Sequence, residues 1–427
     1  MNTKKPPIGL ILKRIRKDVG LSQEAVSNVL MYDRTKISHI ENGTCSCPDD
    51  TLRDFKKVLG VERLPFTETE RREFTKLLHK WHDMINEREF EDALEMQKEL
   101  KCIKYLEYDT ELNKLYLLFE CRLLLGYMKD PDKAMTILKK IEAYGELSIV
   151  EEHHYNYNMG TLSIIRGNKE DMFKYYLRAF ELMQNGLKVN FVLYYNIAYC
   201  YELMGRHARS IAFLEKIREL NYGGGKVLSK IVVDAFLALN FIKIGYLQGA
   251  KTLLDECAKQ IPDDDPKYKH LILNNYGYMY RVAKNFYTAI KYLDMALDCS
   301  EKGSIDYLGN LYQKAWCLLE LRNFNACKEL VQEGMGLTTE STIYSILFKS
   351  LHHLITLNET NSFEYVYGVT IPYLVEQKNN DVALEYCNFV INYYTKRNTV
   401  PTSKIGKLKK IAYHLYAEMK EGGLEEW

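Results

Sequence analysis

Four scarcities narrow the problem before any motif is read. Long apolar runs are missing: no stretch of 18 apolar residues occurs in the 427, so no membrane-spanning helix and no membrane partner is expected. Proline and glycine are sparse, at 9 and 24, which excludes collagen-like and low-complexity chains. Cysteine is present ten times but scattered from Cys45 to Cys387, too thinly for a disulfide scaffold. Its one close pair, Cys45 and Cys47, has no second pair nearby and reads as two unpaired thiols, not as a metal site. Net charge is almost absent, at +1. With 47% hydrophobic and 27% charged residues, the chain has ample apolar surface for a core, which excludes wholesale disorder. The N-terminal apolar run Ile8 to Leu12 is too short for a secretory signal, so a cytoplasmic protein is expected.

The near-zero total hides an asymmetry. Residues 1–64 hold twelve Lys or Arg and eight Asp or Glu, a net +4, whereas the remainder is −3. A basic head on a weakly acidic body suggests an anionic partner for the head.

Local patterning supports that division. Ile8, Ile11, Leu12, Ile15 and Val19 recur at helical spacing and Gly20 stops the run. Ser22 caps a second segment with Ala25, Val26, Val29 and Leu30 on one face. After Met31-Tyr32, Asp33 caps a third that buries Ile37 and Ile40 and ends at Gly43. Pro48-Asp49-Asp50 opens a fourth, with Leu52, Phe55, Val58 and Leu59 inward. Two short helices joined by a tight turn read as helix-turn-helix. The second of the pair begins with Arg34, Thr35 and Lys36 and presents Ser38 and His39 outward. Such a helix end suits the major groove: Arg and Lys donate to guanine O6 and N7, and Thr contacts the thymine methyl.

The string L-S-Q-E-A-V-S…R-T-K-I-S-H-I-E-N-G, from Ile8 to Val61 overall, resembles the phage-repressor-like (Xre-type) helix-turn-helix family. The resemblance implies a phosphate contact at Gln23, base-edge contacts at Arg34, Thr35, Lys36 and His39, and a backbone contact at Asn42. One departure is Met31-Tyr32, where the family has Gly then Val; Cys45-Ser46-Cys47 is a second.

Beyond Pro65, a capping-box pattern at Thr67-Glu68-Thr69-Glu70 opens a long helix, and helical spacing continues to the end with no strand alternation. Residues 193–217 and 272–297 align with each other: Ala198 with Gly277, Tyr201 with Tyr280, Gly205 with Lys284, Ser210 with Ala289, Leu214 with Leu293. Small residues at such offsets let paired helices approach closely, the tetratricopeptide (TPR) pattern. The small position of the second helix traces through Ala93, Ala134, Met172, Ser210, Ala250, Ala289, Cys327 and Val366, in steps of 41, 38, 38, 40, 39, 38 and 39. A final pair from about Asp381 to Met419 is expected to cap the array. The expectation is an all-α chain: a helix-turn-helix head over 1–64, then a right-handed TPR superhelix of about eight or nine repeats over 65–427.

In TPR arrays the first helix of each pair lines the concave face. Counting back from its small residue, one inner position carries Asn158, Asn196, Phe236, Asn275 and Gln313 in successive repeats. Asn is a poor helix-interior residue, so propensity does not explain the series. Amides carry both donor and acceptor, and a ladder of them can hold an extended peptide backbone; the alternative is that they bond between neighbouring helices. Tyr199, Tyr278 and Trp316, with Glu202, Lys243 and Arg281, flank the series as candidate side-chain pockets.

A repressor-like head on a TPR array resembles the RNPP group of Gram-positive quorum-sensing regulators, and in length and repeat count the bifunctional neutral-protease regulators of sporulating bacilli. The resemblance implies a short secreted and re-imported signalling peptide in the groove. It also implies double-stranded DNA as the partner of the head, read as an inverted repeat by a homodimer or higher oligomer. The alternative it offers is a TPR adaptor that binds and inhibits a response regulator, with DNA binding secondary. No cofactor and no enzymatic activity are expected. His79-x-x-His82 lacks a third ligand, the adjacent pairs His153-His154 and His352-His353 diverge on a helix, and Gly223-Gly224-Gly225-Lys226 lacks the strand and G-K-[ST] ending of a phosphate loop.

Overall fold

The structure, a computed structural model, describes residues 8–61, 68–101, 109–220, 230–261, 265–339, 342–356, 359–396 and 400–421. Pro65, Thr67 and the Gly223–Gly225 run lie outside them. All regular structure among the described residues is helical. The chain divides into two compact units, Met1–Lys188 and Val189–Trp427.

The first unit begins with four helices, α1 (Ile8–Asp18), α2 (Gln23–Leu30), α3 (Arg34–Glu41) and α4 (Asp49–Val58). Their shared core is Leu12, Ile15, Val26, Ile37, Ile40 and Phe55, each almost without solvent contact. Ser22 and Asp33 cap α2 and α3 through their side chains, accepting from Ala25 N and Thr35 N at 3.0 and 2.6 Å. The crossing of α1 and α3 is backbone-close: a Cβ on Gly9 would lie 1.5 Å from the Ile40 carbonyl oxygen. Val29 departs from the amphipathic expectation; it is 65% exposed, because α2 buries Val26 alone. Met31, where the family has Gly, adopts φ 52° and ψ 34°, the left-handed conformation that disfavours a side chain.

Three helix pairs complete this unit: α5 (Glu68–Asn86) with α6 (Phe90–Lys101), α7 (Thr110–Leu123) with α8 (Pro131–Glu142), and α9 (Ile149–Ile165) with α10 (Lys169–Gln184). Trp81 is fully buried and its indole donates to the Ala93 carbonyl at 2.8 Å, fastening α5 to the small position of α6.

The second unit continues the pattern. It contains α11 (Phe191–Leu203), α12 (His207–Glu219), α13 (Lys230–Lys243), α14 (Leu247–Ala258), α15 (Pro266–Val282), α16 (Phe286–Asp298), α17 (Ile305–Glu320) and α18 (Phe324–Leu337). Then come α19 (Ile343–Thr356), α20 (Glu359–Tyr365), a π-helical turn (Val366–Thr370), α21 (Ile371–Glu376), α22 (Asn380–Thr395) and α23 (Thr402–Glu421).

The repeat register has a simple physical basis. All eight residues traced as the small position, from Ala93 to Val366, are at most 1% exposed. Five residues before seven of them the turn between the paired helices takes a left-handed residue: Arg88, Lys129, Gly167, Gly205, Gly245, Lys284 and Arg322. Asp130, Asn168, Asn285 and Asn323 follow directly and cap the second helix. First-helix small residues act as expected: a Cβ on Gly160 would meet the Tyr176 ring at 2.6 Å, and one on Gly277 would meet Leu293 at 2.6 Å.

Candidate functional sites

The N-terminal end of α3 is open. Arg34, Thr35, Lys36, His39 and Asn42 are all exposed, beside the buried Ile37 and Ile40 that hold the helix down. Lys36 Nζ lies 3.8 Å from the centroid of the Tyr32 ring, which props the ammonium at the helix edge. His39 Nδ1 is 2.9 Å from Thr44 Oγ1, and Lys13 donates to Asn42 Oδ1 at 2.6 Å. Gln23 is half-buried, and its amide donates to Glu41 Oε2 at 2.8 Å. Glu41 is itself buried and receives both Arg16 Nε at 2.5 Å and Nη2 at 2.9 Å. This fork-to-fork pair, 25 residues apart in sequence, fixes α1 against α3 and so aims the exposed face. Sequence reading missed it; a charged residue at an inward helical position (Arg16 lies four residues after Leu12, Glu41 four after Ile37) was the available signal.

The inner positions of the repeats fall in both units. Asn158 belongs to the first and is 2% exposed; its Nδ2 donates to the Leu118 carbonyl of α7 at 2.8 Å. Asn275 repeats this in the second unit, 3% exposed, with Nδ2 on the Ala235 carbonyl of α13 at 2.8 Å. Each amide reaches back 40 residues to the preceding repeat, so for these two the bond between neighbouring helices is what the geometry realises. Phe236 fills the same position between them, packed near Tyr195 and Tyr199, and Asn196 is half-buried.

The remaining predicted residues converge in the second unit. Lys243 donates to Glu202 Oε1 at 2.9 Å and also to Asp381. Arg281 Nη2 donates to Glu385 Oε1 at 2.9 Å and the guanidinium lies 5.1 Å from the Tyr278 ring centroid. Trp316 packs edge-on to Tyr386 and Phe389, with centroids 5.0 and 5.3 Å apart. Burial works against the Lys243 ammonium, yet Asp381 and Glu202 outweigh it and hold its pKa well above the usual value. Burial likewise opposes the Asp381 carboxylate, and Lys243 overrides it and draws the pKa down. Both groups are therefore charged at neutral pH. Burial, only partly offset by Lys243, pushes the Tyr278 hydroxyl up to about 12.

Between these groups lies a cavity of about 460 Å³, lined by Lys243, Tyr278, Arg281, Tyr312, Gln313 and Tyr344 among others. His207 Nε2, Arg281 Nε and Gln313 Oε1 are buried without a hydrogen-bond partner among the described residues, and all three belong to residues of the lining. Unsatisfied buried polar atoms are costly, so these three are positions where water or a ligand group would be held.

None of the histidines singled out earlier is among the residues that line this cavity. His82 stacks on Phe119 at 4.3 Å, and His154 meets His82 edge-on at 4.8 Å. Burial holds both well below 6.5, so both are neutral. Among the described residues no group of His, Cys, Asp or Glu is arranged to hold a metal ion, and no helix is long and apolar enough to cross a membrane.

Residues 8–68 match a family described as a helix-turn-helix domain. The head is a helix-turn-helix domain. Comparison with curated proteins gives no match by sequence. In fold, the chain is similar to the quorum sensor NprR. The apo form from B. thuringiensis aligns at TM-score 0.62 and 17% identity, over 82% of this chain and 99% of that one. NprR in complex with its cognate peptide NprX aligns at 0.64 and 17%, over 80% and 98%. A Rap protein complexed with Competence and Sporulation Factor aligns at 0.68 and 14% identity, over 82% and 99%. Aspartyl phosphate phosphatase F from Bacillus subtilis aligns at 0.50 and 15%, over 85% and 97%, so a phosphatase also uses this fold. At these identities the likeness is one of fold. With the head, it agrees with the RNPP resemblance read from the sequence.

Proposed function

We propose that the chain is a peptide-responsive DNA-binding regulator of the cytoplasm, without enzymatic activity. Residues 1–64 contact DNA and residues 65–427 sense the peptide and oligomerise. The observation that carries this reading is the conjunction, on one chain, of an exposed Arg34-Thr35-Lys36 helix end with a repeat body folded like NprR, a protein solved with its cognate peptide. Arg34, Thr35, Lys36 and His39 read base edges. Asn42, tethered to Lys13, lies against the phosphate backbone, and Gln23 positions Glu41 and touches phosphate with its remaining capacity. One such head makes few contacts, so specificity comes from a homodimer or higher oligomer on an inverted repeat.

The ligand site is the lining of the second-unit cavity. Within the lining, Lys243 and Arg281 supply charge, Gln313 supplies an unsatisfied acceptor and Tyr278 supplies aromatic surface. Tyr199 and Trp316, which lie outside the lining, extend the aromatic surface beside it, and Glu202 orients Lys243. Asn196 completes the site, while Asn158 and Asn275 set the spacing of neighbouring repeats. Peptide shifts the population between two arrangements of the repeats; a near-complete switch takes a differential affinity of about 5.5 kcal/mol.

The test is binding of duplex selected by the full-length protein. Arg34→Ala and Lys36→Ala should each weaken that complex by about 1–3 kcal/mol while leaving helix content unchanged. Undiminished affinity in both variants would remove α3 from the interface.

A further inference from the structure

One helix crosses the face just described. Along α22, Asp381 meets Lys243 on α13, Glu385 meets Arg281 on α15, and Tyr386 and Phe389 meet Trp316 on α17. Steps of four residues along one helix thus reach successive first helices of three repeats, 104 and 138 residues away for the ion pairs. A ribbon laid across the inner faces of these repeats would take the same path. The cations are not satisfied by their own repeats alone: Arg281 is 8% exposed and its Nη2 is held by Glu385, while its Nε has no partner among the described residues. The cavity beside α22, at about 460 Å³, suits a fragment of small-ligand size, not a ribbon spanning three helices.

We propose that the acidic edge of α22 is a built-in occupant of the ligand groove, and that the ligand is a short extended peptide with two carboxylates two residues apart that takes over Lys243 and Arg281 from Asp381 and Glu385, loosening α22 from the core in which Ala383, Cys387, Val390 and Tyr394 hold it. This rests on the peptide-sensing reading and adds to it the chemistry of the ligand and the segment it displaces. The spacing follows from geometry. Residues four apart on a helix rise about 6 Å along the axis, and residues two apart in an extended chain are separated by about 6.7 Å on one face. A peptide with that pattern restores both ion pairs, so no buried cation is left uncompensated during the exchange, which matters because stranding one partner of a buried pair is strongly destabilising.

The probe is acetyl-Leu-Asp-Val-Glu-Leu-amide, with acetyl-Leu-Asn-Val-Gln-Leu-amide as its uncharged twin, titrated into the full chain by calorimetry and followed by hydrogen exchange. Three results are expected. The acidic probe binds and the twin binds at least ten-fold more weakly. The backbone amides of 380–395 lose protection as the acidic probe binds. The double variant Asp381→Asn/Glu385→Gln, which withdraws the α22 carboxylates from both cations and leaves Lys243 with Glu202 alone, binds the acidic probe at least ten-fold more tightly than the unaltered chain. The inference is overturned if the probe and its twin bind alike, if neither binds at millimolar concentration, or if α22 keeps or gains protection when the acidic probe is bound. Because the exchange readout uses the unaltered chain, misfolding of the double variant does not blunt it. DNA binding and its response to the natural signal enter none of these measurements, so the regulator reading stands or falls separately.

Discussion

Replacing Asn275 by Ala separates two roles that one residue type can play on a TPR inner helix. Its Nδ2 lies 2.8 Å from the Ala235 carbonyl oxygen, and the side chain is 3% exposed. Truncation removes one buried inter-repeat hydrogen bond. Ala235 sits inside α13, where its carbonyl remains part of the helical ladder, so the larger penalty for an orphaned acceptor is avoided. A typical net hydrogen bond of about 1 kcal/mol, plus the void left by the amide, gives an expected loss of about 1–2 kcal/mol. The change is local, so the suitable assay is native-state hydrogen exchange over α13 and α15, read as the opening free energy of those amides. The loss should appear there, and the affinity of the acidic pentapeptide should fall by less than about three-fold. Asn275→Asp should cost more than Asn275→Ala, because a carboxylate opposite a carbonyl has nothing to donate. Unchanged protection together with abolished peptide binding would refute this reasoning and return Asn275 to the groove.

Three further outcomes follow from the geometry. Gly9→Ala places a Cβ 1.5 Å from the Ile40 oxygen, forcing α1 off α3; the head should lose at least about 3 kcal/mol, seen as lost exchange protection in α1 and lost DNA binding. Met31→Gly relieves a left-handed residue that is 92% exposed and packs on nothing of consequence. The gain of about 1–2 kcal/mol in strain, less the entropy of a more flexible unfolded chain, should raise head stability by about 0.5–1 kcal/mol in denaturant titrations followed by exchange. Acid should loosen the first unit: His82 and His154 are held below 6.5 in the fold, so below pH 6.5 the unfolded chain binds more protons and stability declines towards their folded values. Each contributes up to about 1.4 kcal/mol per pH unit, and His82→Gln/His154→Gln should flatten the profile between pH 6.5 and 5.5. An equal slope in that variant would clear both histidines.

The architecture was legible wherever a local pattern forces it. Buried small residues recur every 38–41 positions because two helices cannot pair closely without them, and the left-handed turn five residues upstream of seven of them repeats for the same reason. The head was legible because short helices with Ser22 and Asp33 caps leave little choice of boundaries. The site was legible only in part. Lys243, Tyr278, Arg281 and Gln313 do converge on one cavity. Asn158 and Asn275 share the inner helical position but turn into the seam with the preceding repeat, a distinction of side-chain direction that counting residues does not resolve. The role of α22 was hidden for another reason. Its ion pairs join residues more than 100 positions apart, and Asp381 and Glu385 taken locally are an ordinary i, i+4 acidic pair on the first helix of the last pair. Arg16 with Glu41 is the same lesson at shorter range.

Control of the head's DNA binding by a peptide in the repeat body is the step on which the proposed function turns. Its most direct test is selection of bound duplexes from a random pool by the full-length chain, with and without the small-peptide fraction of the host's spent medium. The expected result is recovery of one inverted repeat whose affinity changes at least ten-fold with that fraction, an effect lost in Lys243→Gln/Arg281→Gln. An inverted repeat bound equally in both conditions, or no enriched sequence in either, would contradict it.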